Sequence, residues 1–304
     1  MLRQTLLHLS QNHWLRQWME NSPVSRKLTS RFVAGPSLDE GINVLKQLSS
    51  ERITATLDFL GENVTSLEAA AQSRDSYLRA LDRIRENHLP ATVSIKLTQF
   101  GLDFAPECCS NNVSSLVERA CAMGSRVEVD MESSEYTDRT VALVTEIQRR
   151  YPGCVRAVIQ AYLFRSENDI QSLSDLGIPV RLCKGAYREP PEVAFPRKAD
   201  VDSNYVKLMK LLLDKGTFPA VASHDEKIIR EALAYVKKHK IGRERFEFQM
   251  LYGIRRDLQR HIVREGYNLR LYVPYGDAWY PYFMRRLAER PANVLFLAKN
   301  LLRN

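Results

Sequence analysis

Four residues near the end of the chain, Tyr282, Arg285, Arg286 and Glu289, form the sharpest local pattern in the sequence. Spacings of three and four residues place their side chains on one face of a helix. A guanidinium group binds a carboxylate through two parallel hydrogen bonds, so the two arginines could grip a carboxylate ligand while Glu289 holds one of them in place. The alternative is a solvated helix face with an Arg286–Glu289 or Arg285–Glu289 ion pair, and the spacing alone does not decide between them.

Polar side chains also lie at the ends of short apolar, β-branched runs that recur along the chain. These end positions carry Asp58, Lys96, Asp130, Gln160, Arg181, Lys184, Ser223, His224, Gln249 and Tyr272. Any one of them could be an ion-paired or hydrogen-bonded residue without a chemical role. Because buried polar groups need partners, their presence at every run favours a large polar ligand where the ends meet.

Eight such runs predict strands, and their starts lie about 23 to 39 residues apart, the length of one strand, one helix and two loops. The strands are predicted at Thr54–Leu60, Ala91–Phe100, Ser125–Met131, Arg156–Tyr162, Pro179–Lys184, Phe218–His224, Arg245–Leu251 and Leu269–Tyr275. The helices between and after them are predicted at Ser66–Asn87, Ser114–Met123, Asp138–Arg150, Ser166–Leu176, Asp202–Lys215, Glu226–His239, Gly253–Glu265 and Gly276–Arg290. This alternation predicts an α/β protein with a (βα)8 TIM-type barrel. A doubly wound sheet is the structural rival, but its G-x-G-x-x-G fingerprint is absent.

The chain is predicted to divide into three parts. Residues 1–50 form N-terminal helices packed on the barrel, the last of them at its bottom. Residues 51–291 form the catalytic barrel. Residues 292–304 form a short C-terminal helical tail.

Composition narrows the function classes. The 304 residues carry a net charge of +8, which suits an anionic ligand, an acidic membrane surface or nucleic acid. The basic residues are dispersed and match no nucleic-acid motif, so no nucleic acid is expected. No apolar stretch approaches the roughly 20 residues of a membrane span.

Five cysteines, an odd number without a C-x-x-C pair, predict neither a disulfide framework nor a zinc cluster. One histidine at a strand end predicts no metal site. Without a signal-peptide pattern, a cytoplasmic location is the expectation.

Seven segments in order resemble the proline dehydrogenase family, both its monofunctional bacterial form and the proline dehydrogenase domain of the bifunctional enzyme proline utilization A. They are Ser94–Gly101, Val127–Met131, Val180–Tyr187, Ala222–Asp225, Phe246–Gly253, Tyr272–Gly276 and Tyr282–Pro291. Each motif alone is moderately specific, whereas the ordered set, spread over about residues 50 to 291, is highly specific.

The resemblance implies a distorted (βα)8 barrel that holds FAD and oxidises L-proline to Δ1-pyrroline-5-carboxylate. The hydride would pass from proline C5 to flavin N5, in the first step of proline catabolism to glutamate. It further implies a quinone as electron acceptor, pyrroline-5-carboxylate dehydrogenase as pathway partner, and a cytoplasmic protein that can contact the inner face of the cell membrane.

The resemblance also assigns residues by motif position. At proline it places Lys96, Asp130, Ala186, Tyr187, Leu251, Tyr272, Tyr282, Arg285, Arg286 and Glu289. At the flavin it places Asp130, Met131, Gln160, Arg181, Cys183, Lys184, Gly185, Ala186, Ser223, His224 and Gln249. Ser223 stands where the family more often has threonine, and the hydroxyl group is kept.

Two other functions compete with this interpretation. A barrel lyase would use Lys96 or Lys184 as a Schiff-base nucleophile. A basic binding protein without enzymatic activity would bind nucleic acid or acidic lipid in a steeply salt-dependent way. Neither accounts for the ordered set of motifs.

Overall fold

Eight parallel strands close into a barrel in the order in which they occur along the chain, with the last strand paired to the first. The computed structural model describes residues 30–61, 64–280 and 282–284. The strands are β1 (Thr54–Phe59), β2 (Ala91–Ile95), β3 (Val127–Val129), β4 (Val155–Gln160), β5 (Val180–Cys183), β6 (Ala220–Ala222), β7 (Glu247–Leu251) and β8 (Leu269–Tyr275). The predicted (βα)8 class and its eight strands are therefore confirmed.

Among the described residues, one α-helix precedes β1 and one follows each of the strands β1 to β7. They are α1 (Leu38–Ser50), α2 (Leu67–Glu86), α3 (Pro106–Ala122), α4 (Thr137–Arg150), α5 (Ser166–Asp175), α6 (Lys198–Lys215), α7 (Glu226–Lys238) and α8 (Arg256–Arg264). Several begin at side-chain caps, as when Ser37 and Glu40 form a reciprocal capping box at α1. The fully buried core lies between these helices and the outward-facing strand residues, such as Val93, Val127 and Phe248.

Two element boundaries differ most from the prediction. The apolar run that begins at Ala91 does not remain extended to Phe100, because the chain turns into a 3-10 helix at Leu97–Phe100 directly after Lys96. The following helix begins at Pro106 rather than at Ser114. Proline suits the first turn of a helix because its φ is already helical and its missing N–H would have no partner there.

The helix before β1 lies on the outer wall of the barrel, not at its bottom as predicted. A Cβ added to Gly41 of α1 would meet the side chains of Leu57 and Tyr275 at 3.2 and 3.5 Å. These two residues belong to β1 and β8 and alternate with inward-facing neighbours, so they point outward. The alternation explains the correction, because it leaves an apolar outer face at the β1–β8 seam that α1 covers.

The segment after β8 packs at the mouth of the barrel. Trp279, Tyr280 and Phe283 form an apolar cluster with Phe32 and with Leu60, which follows β1. Leu251 at the end of β7 packs against the same cluster. The chain is thus directed over the carboxyl ends of the strands, where barrel enzymes carry their chemistry.

The barrel interior is charged rather than apolar. Inward positions repeat every second residue along the strands. They hold Thr56 and Asp58 on β1, Thr92 and Ser94 on β2, Glu128 on β3, Arg156 and Gln160 on β4, Arg181 on β5, Glu247 and Gln249 on β7, and Arg270 and Tyr272 on β8. A continuous polar network therefore runs from the middle of the barrel to its mouth.

One disulfide joins Cys121, near the end of α3, to Cys154, just before β4. The expectation that the cysteines would form no disulfide was wrong for this pair. The two residues are 33 positions apart, and only the docking of α3 beside β4 brings their Cα atoms within 5.3 Å. No helix among the described residues is long and apolar enough to cross a membrane.

Candidate active site

Asp130 is the centre of the polar cluster at the barrel mouth. Its Oδ1 accepts a hydrogen bond of 2.8 Å from Ser94 Oγ, and its Oδ2 accepts one of 2.8 Å from the hydroxyl of Tyr272. The guanidinium of Arg181 also donates to Oδ1. Burial alone would raise the pKa of Asp130, but Arg181 and Lys96 outweigh it and hold that pKa below its ordinary value. Asp130 is therefore an anion that organises the cations around it.

Lys96 lies between two carboxylates at the same mouth. Its Nζ is 3.3 Å from Asp58 Oδ1 and 3.6 Å from Asp130 Oδ2. The buried hydroxyl of Tyr77 also donates to Asp58. Burial, reinforced by the negative charge of Asp58, raises the pKa of Tyr77 well above its ordinary value, so Tyr77 keeps its proton. The amino group of Lys96 is thus in contact with carboxylates from two parts of the barrel, Asp58 on β1 and Asp130 after β3.

Arg181 connects the mouth to the barrel interior. One terminal nitrogen bonds Asp130 and Ser94, and the other lies 3.2 Å from Glu128 and 3.3 Å from the amide oxygen of Gln249. Its guanidinium also lies 5.4 Å from the ring centroid of Tyr272. Contacts on both sides fix the planar group in one orientation, as is typical of arginine.

Tyr272 is a neutral donor at the mouth. Burial, reinforced by the charge of Asp130, raises the pKa of its phenol well above the ordinary value. The ring and hydroxyl are therefore available for packing and hydrogen bonding, and the group does not ionise near neutral pH.

Gln160 supplies the clearest fit to a flavin ring system. Its amide nitrogen donates to the carbonyl oxygens of Met131 and Glu132 at 2.9 and 3.0 Å, which fixes the orientation of the side chain. Its buried amide oxygen has no hydrogen-bond partner among the residues that the structure describes. A buried acceptor needs a donor, and flavin carries an imide N–H of the required kind.

Gly185 makes a close backbone approach at the end of β5. Its φ is +118°, and an added Cβ would lie 2.5 Å from the ring of Tyr162. Only glycine is compatible with that combination. Adjacent Lys184 bonds Asp202 Oδ1 at 2.5 Å and Asp225 Oδ2 at 3.0 Å. Lys184 outweighs partial burial and lowers the pKa of both carboxyl groups. The end of β5 thus places a paired cation next to a glycine whose backbone packs directly against the ring of Tyr162.

The end of β6 is fixed by hydrogen bonds to its neighbours. Ser223 Oγ accepts from the backbone N–H of Asp225 at 3.1 Å, and Asp225 in turn caps α7. His224 Nε2 accepts from the backbone N–H of Leu251 at 2.8 Å, so this nitrogen is an acceptor. The imidazole of His224 therefore connects the end of β6 to β7, whereas the hydroxyl of Ser223 fixes the turn that leads into α7.

The remaining predicted residues have mixed positions. Met131 is buried beside Asp130, whereas Ala186 and Tyr187 are exposed, Tyr187 by 37%. Burial raises the pKa of the Cys183 thiol to about 11, so this cysteine stays protonated and is no nucleophile. The exposed loop that carries Ala186 and Tyr187 is held by Glu189, which accepts a hydrogen bond from the backbone N–H of Ser134 at 2.8 Å.

Tyr282 is buried in the apolar cluster at the mouth, where Leu251 also packs. Arg285, Arg286 and Glu289, the predicted carboxylate clamp, lie outside the described residues. Their roles remain predictions.

The structure joins several predicted residues directly: Lys96, Asp130, Arg181 and Tyr272 form one cluster, and Gln249 contacts Arg181. Sequence analysis placed Asp58 at a strand end without giving it a specific role, and it gave no role to Ser94 or Glu128. Ser94 and Glu128 each lie two residues before a polar strand-end residue. Side chains two residues apart on a strand point to the same side of the sheet, so this spacing could have identified them.

The fold and this charged cluster at the carboxyl ends of the strands define the class as a (βα)8-barrel enzyme. The family model described as "Proline dehydrogenase" matches residues 42–299. The chain belongs to the proline dehydrogenase family, whose members are oxidoreductases.

Individual relatives agree with this assignment. The chain is 38% identical over 299 residues to "Proline dehydrogenase 2" of Bacillus subtilis (strain 168), covering 98% of both chains. It is 39% identical over 283 residues to "Proline dehydrogenase" of Deinococcus radiodurans, covering 91% of this chain and 90% of that one.

The crystal structure of proline utilization A from Bdellovibrio bacteriovorus, inactivated by N-propargylglycine, superposes with a TM-score of 0.81 at 29% identity. The match covers 86% of this chain and 32% of that one, so this chain spans about a third of that protein.

Proposed function

We propose that this protein catalyses the FAD-dependent oxidation of L-proline to Δ1-pyrroline-5-carboxylate. The observation that carries the proposal is the cluster of Lys96, Asp130, Arg181 and Tyr272 at the barrel mouth of a chain in this family. It sets fixed cations and a neutral phenol beside one anion, which suits an anionic cofactor and a substrate with a carboxylate.

The flavin site would be formed by the strand ends from β3 to β7. Gln160 would accept from the flavin ring through its unpartnered oxygen, and Gly185 would let the end of β5 pack against Tyr162 beside the cofactor. Arg181 and Lys184 would stabilise negative charge on the cofactor. Met131, Cys183, Ala186, Ser223, His224 and Gln249 are proposed to complete this site. When bound, FAD would accept the hydride from proline C5 at its N5 atom.

The substrate would be oriented by charge at one end and by packing at the other. Arg285 and Arg286 are proposed to grip the proline carboxylate, with Lys96 beside them and Glu289 holding the arginines. Leu251, Tyr272 and Tyr282 would pack the ring, with Ala186 and Tyr187 at its edge. Fixing the ring in this way makes the transfer step effectively intramolecular.

Proton and electron movements follow from the substrate. Proline carries an ammonium group, which the surrounding cations destabilise, and loss of one proton frees the nitrogen lone pair. That lone pair forms the C=N bond as the hydride leaves C5. The side chains of the protein would disfavour the protonated form of the proline amine and would hold C5 in place.

Electrons are proposed to pass to a quinone, with peripheral contact at the inner face of the cell membrane and an otherwise cytoplasmic location. The product would then be consumed by pyrroline-5-carboxylate dehydrogenase in the pathway to glutamate. Residues 51–291 are proposed as the catalytic barrel, with residues 1–50 and 292–304 as helical additions.

A Schiff-base lyase is disfavoured by the pairing of its two candidate lysines. Lys96 and Lys184 each contact two carboxylates. A Schiff-base lysine instead needs surroundings that favour the neutral amine. Trapping of a carbonyl substrate by borohydride would support the lyase.

The flavin absorbance spectrum of the purified protein tests the proposal. We expect a yellow protein whose flavin absorbance is bleached by L-proline without oxygen, and D-proline as a matched control should bleach it far more slowly. N-propargylglycine, which inactivates the Bdellovibrio protein, should inactivate this one. A colourless protein that gains no proline-oxidising activity with added FAD would overturn the proposal.

The carboxylate clamp has its own test. Arg286→Met should raise the KM for proline at least tenfold while the protein keeps its flavin, because one charge-assisted bidentate contact is lost. Arg230→Met, which removes an exposed arginine paired with Glu226 on α7, is the matched control. Unchanged kinetics in Arg286→Met would show that Arg286 does not bind the proline carboxylate.

A further inference from the structure

Glu128 is a fully buried carboxylate inside the barrel, two residues before Asp130 and on the same inward face of β3. It contacts three guanidinium groups. Its carboxylate oxygens lie 3.1 Å from Arg156, 3.2 Å from Arg181 and 3.8 Å from Arg270. The Glu128 carboxylate therefore lies between the charged groups of the barrel interior and Arg181, whose guanidinium reaches the mouth.

The charges around Glu128 balance. Arg156, Arg181 and Arg270 contact Glu128, Asp130 and Glu247, three cations against three anions, and the pair of Lys96 with Asp58 adds one charge of each sign at Asp130. Burial alone would raise the pKa of Glu128, but the three arginines outweigh it and hold the pKa below its ordinary value. Glu128 is ionised at neutral pH, and its removal would leave an uncompensated cation in the interior.

Arg181 has anions on two opposite sides. Asp130 holds it from the mouth, and Glu128 holds it from the interior. Asp130 has other partners in Lys96, Ser94 and Tyr272, so its charge is shared between Arg181 and Lys96. Glu128 is therefore the anion that, together with the amide oxygen of Gln249, holds the Arg181 guanidinium to the interior of the barrel.

We propose that Glu128 is a positioning residue for Arg181, holding its guanidinium and partly compensating its charge, and that it thereby sets the electrostatic potential at the bound flavin. The inference rests on the proposed function, because it requires a flavin beside Arg181. Glu128 touches neither substrate nor cofactor in this proposal and acts through the arginine. Its replacement should change a property of the cofactor as well as the stability of the barrel.

The primary test is the midpoint potential of the bound flavin in Glu128→Gln. Loss of the interior anion leaves Arg181 less compensated, which favours the negatively charged reduced flavin. We expect the reduced form to gain about tenfold over the oxidised form, which is a positive shift of about 30 mV for a two-electron couple. No shift would overturn the proposal.

The matched control is Glu247→Gln. This change removes the same charge from the same network, where Glu247 contacts Arg156 and Arg270 rather than Arg181. A glutamine at this position can still accept the hydrogen bond from Gln249. We expect a clearly smaller shift, and an equal shift in both variants would overturn the proposal.

A double-mutant cycle separates positioning through Arg181 from a direct field effect. In an Arg181→Met background, Glu128→Gln should change the equilibrium ratio of reduced to oxidised flavin by less than twofold. A shift that persists in full would show that Glu128 does not act through Arg181 and would overturn the proposal.

If Glu128→Gln alone does not fold, Glu128→Gln/Arg156→Met restores two cations against two anions while the negative charge beside Arg181 stays lost. The expected shift is then measured in this variant, and a wild-type potential would overturn the proposal. A wild-type protein without flavin would refute the proposed function instead, so the two failures are distinguishable.

Discussion

The hydroxyl of Tyr272 on β8 donates a hydrogen bond of 2.8 Å to Oδ2 of Asp130, which directly follows β3. The two strands are not neighbours in the barrel, so this bond crosses the mouth. It connects the aromatic wall of the proposed substrate pocket to the anion that holds Lys96 and Arg181. Geometry at the proposed reacting centre therefore depends on a contact across the whole barrel.

Replacing Tyr272 with phenylalanine should lower kcat/KM for proline about tenfold or more, because a hydrogen bond to a charged group is lost while the ring remains. Steady-state kinetics with an artificial electron acceptor would measure the change. The matched control is Tyr267→Phe, since Tyr267 packs against Phe246 and Phe248 before β8 begins. Equal kcat/KM values for Tyr272→Phe and wild type would contradict the role assigned to this bond.

Replacing Lys96 with methionine should lower kcat/KM for proline about 100-fold and change its pH profile. Without the ammonium group, the carboxylates of Asp58 and Asp130 lose the cation between them, and repulsion raises the pKa of one of them. The kcat/KM profile of the variant should therefore gain a new ionisation. Lys207→Met, at an exposed lysine paired with Glu167, should leave both rate and profile unchanged. A wild-type profile in Lys96→Met would refute this prediction.

The stability of the protein should fall steeply in acid. Neighbouring cations outweigh burial and hold the pKa values of Glu128, Asp130 and Glu247 below those of the unfolded chain. Their contribution is complete above the unfolded values near about 4 and is lost as pH falls through the folded values. Each group should contribute about 1.4 kcal/mol per pH unit in that window.

Urea unfolding measured between about pH 6 and pH 3 would test this dependence. Glu247→Gln should show a shallower decline, because one titrating carboxyl group is removed. An unfolding free energy that stays constant over that range would contradict the prediction.

Replacing Gly185 with alanine should abolish tight flavin binding. The added Cβ would meet the ring of Tyr162 at 2.5 Å, and the backbone has a φ of +118°. The flavin content of purified Gly185→Ala, measured by absorbance after denaturation, should fall severalfold. Gly153→Ala is the matched control, because Gly153 has a φ of +79° but open space around its Cβ position. It should lose only about 1 kcal/mol of stability and keep its flavin. Full flavin content in Gly185→Ala would show that the close packing of Gly185 against Tyr162 is not needed for flavin binding.

The sequence by itself determined the alternation of strands and helices and the polar residues at the strand ends. Both are local properties: a strand repeats every two residues, and a run of β-branched residues ends where polar residues begin. Lys96, Asp130, Arg181 and Tyr272 could therefore be placed at one end of a barrel before any contact was known. The ordered motifs gave the family on the same basis.

Only the tertiary structure decided which of these groups meet. Closure of the barrel brings Glu128 of β3 to Arg181 of β5, and docking of α3 beside β4 joins Cys121 to Cys154. Tertiary packing also places α1 on the outer wall of the barrel, where its apolar face covers the β1–β8 seam. Periodicity fixes the face on which a side chain lies, but the partner across the barrel depends on strand register and closure, which are set by all eight strands together.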